Sequence, residues 1–96
     1  MAERPLLYVD FNELMERRVV LLSQTDVKKD VHGNDVTLVE GLPIAIYSDD
    51  IGDDGQPDNL VAEGIVIRNQ TGSYRHVKWC CQIADPGIRH QSDIGR

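Results

Sequence analysis

Short apolar runs of alternating period, cut by turn-forming residues, recur along almost the whole of this chain, and that pattern restricts it to a β-rich fold. Leu7, Val9 and Phe11 fall on one face of an extended segment, with Leu6, Tyr8 and Asp10 on the other. Val27 to Val31 and Val36 to Val39 flank His32-Gly33-Asn34-Asp35, a tetrad whose Gly and Asn tolerate positive φ, and so predict a hairpin. Glu40-Gly41 marks another tight turn. Leu42 to Tyr47 is the next strand, with Pro43 near its start, where a missing N–H does least harm. Leu60 to Arg68 follows, with Gly64 inside it as an expected bulge or bend, and Tyr74 to Ile83 is the last strand.

Asn12 to Leu22 is ambiguous by pattern. Asn12 to Arg17 contains good helix formers that Asp10 or Asn12 would cap, and Met15, Val19 and Leu22 share a helical face. The β-branched pair Val19-Val20 argues instead for a strand from Arg18 to Ser23, which is the reading adopted here. Five to six short strands with at most one short helix predict a small antiparallel barrel or curled sheet. The stretch from Glu40 through Ile83 resembles an SH3-like barrel, in Gly41, a strand, a long loop and then Ala62-Glu63-Gly64-Ile65-Val66. The resemblance rests on glycine and valine spacing, implies the barrel shape and carries no activity with it.

At 96 residues the chain has room for a single domain and one core, with the tail from about residue 86 expected to lose its pattern and fray. Aromatics are scarce, so Val, Ile and Leu must build that core. The formal net charge is −6, which disfavours non-specific binding to nucleic acid or to anionic membranes. Cys80 and Cys81 are adjacent, and neighbouring positions on an extended strand point to opposite faces, so they cannot meet the usual disulfide geometry without distorting the backbone. The N-terminal residues do not read as a signal peptide and no apolar run reaches membrane-spanning length, so the expected location is cytoplasmic.

Two stretches carry residue types suited to binding or chemistry. The loop Ser48 to Asn59 holds Asp49, Asp50, Asp53, Asp54 and Asp58, hard oxygen donors of the kind calcium takes. With Gly55 placed at the sixth position of an EF-hand loop, Gly52 falls at the third and Val61 at the twelfth, where ligands are required. The loop therefore reads as an acidic hairpin connection suited to a basic partner. The second stretch, His76 to Ile83, alternates Val77, Trp79, Cys81 and Ile83 on a core face with His76, Lys78, Cys80 and Gln82 opposite. Positive charge beside Cys80 would lower a thiol pKa.

No zinc-ligand spacing, nucleophile elbow, Walker loop or dinucleotide fingerprint occurs, so neither a metal nor a cofactor is expected. The expected function is a small non-enzymatic protein-interaction module. Asp49, Asp50, Asp53, Asp54, His76, Lys78 and Cys80 are its candidate binding residues, and a basic protein or a second copy of the chain its partner. The alternatives are a small thiol-dependent enzyme or redox protein centred on Cys80, and a nucleic-acid-associated barrel using Arg68, Arg75, Lys78 and Trp79.

Overall fold

The structure, a computed structural model, describes residues 4–11, 14–16, 18–52, 54–69, 76–85 and 87–91, of which 14–16 are described by backbone alone. They form a curled, half-barrel β-sheet and a small second sheet, with no helix among them. The strands are β1 (Leu6–Tyr8), β2 (Leu14–Glu16), β3 (Val19–Ser23), β4 (Val27–Lys29), β5 (Asp35–Thr37), β6 (Pro43–Ser48), β7 (Leu60–Arg68), β8 (Trp79–Ile83) and β9 (Arg89–His90). The main sheet runs β1-β6-β7-β8-β3-β2, and β4 pairs with β5. No helix among the described residues is long and apolar enough to cross a membrane.

The strand anticipated over Arg18–Ser23 forms as Val19–Ser23, that over Leu42–Tyr47 as Pro43–Ser48, and that over Leu60–Arg68 at those bounds. The hairpin expected of Val27–Val31 with Val36–Val39 forms as Val27–Lys29 with Asp35–Thr37. The helical alternative does not, because Leu14–Glu16 is extended and pairs with β3, while Asn12, Glu13 and Arg17 lie outside the described residues. The chain reverses between Glu16 and Val19, and Arg18 there takes φ +67°, an unusual conformation for a side chain with no local means of stabilising it. The sheet is antiparallel except at β1, which runs parallel to β6 with Leu7 opposite Ile46. That pairing is reached by a long connection through β2 to β5, as parallel neighbours require.

The alternation in β7 decides the shape of the sheet. Ala62, Gly64 and Val66 face the concave core, and Glu63, Ile65 and Ile67 face outward. The bulge expected at Gly64 does not form: Gly64 lies in register with Ile44 on one side and Ile83 on the other. A Cβ on it would run into the carbonyl oxygen of Gln82 and come within 2.9 Å of Cys81 Sγ. Glycine is needed there because β8 leans over the concave side of β7, which is where a sheet that curls crowds its side chains.

Within the curl lies one apolar cluster that includes Leu7, Val20, Ile44, Ile46, Val66, Trp79 and Cys81. The β4–β5 hairpin covers part of it. Leu38 is buried, Val36 packs against the cluster, and the Val31 N–H donates to the Leu6 carbonyl at 2.9 Å, beside β1. At the other end of the hairpin, Trp79 Nε1 donates to Asp26 Oδ1 at 2.9 Å, and Lys78 Nζ reaches the same oxygen at 2.7 Å. Those two bonds, with Lys78 the larger influence, hold the Asp26 carboxyl below the usual carboxylate range.

Two predictions come from this packing. Gly64→Ala forces the β7–β8 backbones apart and should cost about 3 kcal/mol, a melting-point loss on the order of 10 °C or more by calorimetry. An unchanged melting point would mean that the close approach is not needed. Because the native pKa of Asp26 is lowered, its contribution is complete above the ordinary value of 3.8 and declines as pH falls from there through the native value. Thermal melts of Asp26→Asn should therefore lose less stability than wild type as the buffer is acidified through that range; parallel curves would remove Asp26 from the account.

Candidate functional site

Between β6 and β7 the described residues of the Ser48–Asn59 segment form a bonded arm. Its two sides are bridged at Ile51 and Pro57. The Asp58 N–H donates to the Asp50 carbonyl at 2.9 Å and the Gly52 N–H to the Gln56 carbonyl at 2.8 Å. Near the tip, Asp54 Oδ1 accepts the Gln56 N–H at 3.0 Å, and Gly55 takes φ +78°, which only glycine adopts at no steric cost. The sequence supplies no Lys or Arg anywhere in residues 48–59, so the arm carries unbroken negative charge.

The arm is held at its base by the chain's far end. After β8 the backbone makes a short excursion and returns as β9, pairing Arg89 with Val61 and His90 with Leu60. His90 Nε2 then lies 2.8 Å from Asp50 Oδ2, and Nδ1 lies 4.0 Å from Asp58 Oδ2. Of the tail expected to fray, Arg89 and His90 thus pair with β7, and 92–96 lie outside the described residues. His90 thereby meets the acidic arm at two of its aspartates. Forty positions separate it from Asp50, and no spacing in the sequence signals the contact.

Asp49 and Asp54 are exposed, Asp50 is half-buried, and Asp53 lies outside the described residues. Ile51 stands among them 67% exposed, the most exposed large apolar residue described. A hollow of about 560 Å³ lies beside it, lined by Asp49, Asp50, Ile51, Pro57 and Asn59. No group of three or more ligating side chains suited to a metal occurs among the described residues. A second cleft of about 490 Å³ runs between the β6–β7 strands and the returning tail, with Glu63 and Arg89 among its walls.

The other candidate residues are not brought together. Cys80 is completely buried, in a small outer cluster with Leu21 and Val77 that Val19 and Ile67 flank. Burial alone pushes its thiol pKa up, the reverse of what a reactive cysteine needs. Val77 joins Cys80 rather than Trp79, because the ladder begins only at Trp79 and the expected alternation fails through residues 76–78. His76 is exposed on a turn. Lys78 is drawn to Asp26 and lies with Nζ 5.5 Å from the Trp79 ring centroid.

Arg68 occupies the same ring at 5.2 Å, and Arg75 lies outside the described residues. Trp79 is only 5% exposed and its N–H is committed to Asp26, so the ring offers no stacking platform for a base. On the concave side, burial and then the neighbouring Cys80 push Cys81 up to about 12. Both thiols should label on the order of 100-fold more slowly in the native protein than in denaturant at pH 8. Native labelling of Cys80 at the denatured rate would restore the reactive-thiol alternative.

Comparison with known proteins adds nothing to this geometry: no protein-family profile and no curated protein matches the chain, and no solved structure matches its fold.

Proposed function

We propose that this chain is a non-enzymatic interaction module that presents its acidic arm to a basic surface on another protein. The observation that carries the reading is Ile51, an isoleucine two-thirds exposed on a bonded arm, with Asp49 and Asp50 lining the same hollow. An exposed apolar residue with charge beside it suits a binding hot spot, in which a small desolvated centre supplies affinity and a charged rim supplies orientation. The rim here is of one sign and lies in a chain of net charge −6, so complementarity calls for lysine and arginine on the partner. Rigidity lowers the entropic cost of docking, and the Ile51–Pro57 bridge with the His90 tether supplies it.

The buried, pKa-raised Cys80 speaks against a thiol enzyme, and the engagement of Arg68 and Lys78 with Trp79 and Asp26 against a nucleic-acid face. The test compares capture from native extract by wild-type chain and by two variants. One is Asp49→Asn with Asp50→Asn, Asp53→Asn and Asp54→Asn; the other is Ile51→Ser. A protein of basic surface held by wild type should bind each variant at least about tenfold more weakly when purified, a loss of about 1.4 kcal/mol. Its affinity for wild type should fall as salt is raised. Equal binding to all three baits, or no protein held by wild type above the variants, overturns the proposal.

A further inference from the structure

A separate cavity of about 280 Å³ opens where the end of β3 faces the start of the hairpin. One wall is Leu21 to Gln24, another is His76 with Val77, and Lys28 reaches in from β4. The chain contains 16 acidic residues, yet among the described residues none lines this space. Elsewhere the lysines of this region have carboxylate partners, Lys29 with Asp35 at 2.7 Å and Lys78 with Asp26 at 2.7 Å. Lys28 has no such partner among the described residues.

Register explains how Lys28 comes to be there. It sits opposite Val36, the residue whose side chain packs against the main core, and alternation places both on the inner face of the hairpin. The neighbouring positions Val27 and Lys29 are exposed, whereas Lys28 is half-buried. It lines the recess together with the polar residues Ser23, Gln24 and His76. Partial removal from water lowers its pKa, with desolvation the cause. A cation withdrawn from solvent with no counter-charge is stabilised by whatever anion can enter beside it.

We propose that this cavity binds a small oxyanion, a phosphate or carboxylate group, with Lys28 Nζ as its counter-charge and the His76 imidazole as a second contact. A volume near 280 Å³ lies below that of pockets for drug-sized ligands and suits a small anionic molecule. The site is independent of the acidic arm, and either can fail without the other.

Amide NMR titration tests it with inorganic phosphate and, separately, with acetate, ionic strength being held constant with chloride. Saturable shifts are expected at Ser23, Gln24, Lys28, His76 and Val77. They should weaken at least about tenfold in Lys28→Met, which keeps the aliphatic stem, persist in Lys28→Arg, and be unaffected in Lys29→Met. Dispersed amide spectra of each variant establish that it is folded, and Lys28→Gln replaces Lys28→Met should the latter not be. A response to both anions assigns a general oxyanion site, and a response to phosphate alone assigns a phosphate site. Absence of saturable shifts with either anion overturns the proposal, as does an equal response in the Lys28→Met and Lys29→Met proteins.

Discussion

The close approach of β7 and β8 at Gly64 is the contact on which the architecture turns. β7 is the sheet's central strand, paired along one side with β6 and along the other with β8 and then β9. Bringing the Gln82 carbonyl over the place of a missing Cβ lets the sheet curl around a concave face. Small side chains at Ala62 and Cys81 continue the same economy of volume on that face. The curl gathers Leu7, Ile44, Ile46 and Val66 into one core, so that a chain with few aromatics still encloses a dry interior from aliphatic residues.

A half-barrel needs its open side covered, and the β4–β5 hairpin covers part of it through contacts of two kinds. Leu38 and Val36 supply apolar burial, while Asp26 ties the hairpin to β8 through the Trp79 indole. An indole N–H buried without an acceptor would cost about 1–3 kcal/mol, so the carboxylate is part of the core's polar accounting although it lies at the surface. Lys78 and Arg68 then gather on the ring and around that carboxylate, which takes two of the chain's few cations into structural service.

What was legible in the sequence follows from how local its cause is. β7 could be read to the residue, because a nine-residue run rich in Val and Ile is bounded on both sides by turn-forming residues. The β4–β5 hairpin could be read from Gly33 and Asn34, and in the structure Asp30 strengthens that turn by accepting the His32 and Asn34 N–H groups. The β2–β3 reversal could not, because Arg18 adopts positive φ without any turn chemistry of its own and is set by the flanking pairs. Residues 76–78 misled for a related reason. Alternation placed Val77 beside Trp79, but Lys78 bonds to Ser23 and Asn69 just before the ladder begins, and the change of path moves Val77 to the outer cluster. Of the candidate residues, the aspartates were visible as composition, whereas the tether from His90 is a tertiary contact with no local sign.

The distribution of charge separates two regions that composition alone merges. A net charge of −6 describes a chain that repels anions on average, and from sequence it counts against any anionic ligand. The fold sorts that average. Residues 48–59 carry five aspartates without a lysine or arginine, whereas among the described residues no carboxylate lines the recess around Lys28. Within roughly a Debye length, about 8 Å at physiological salt, the local groups and not the total decide what is attracted. On the two proposals made above, the arm and the recess therefore call for ligands of opposite charge, although the chain as a whole is acidic.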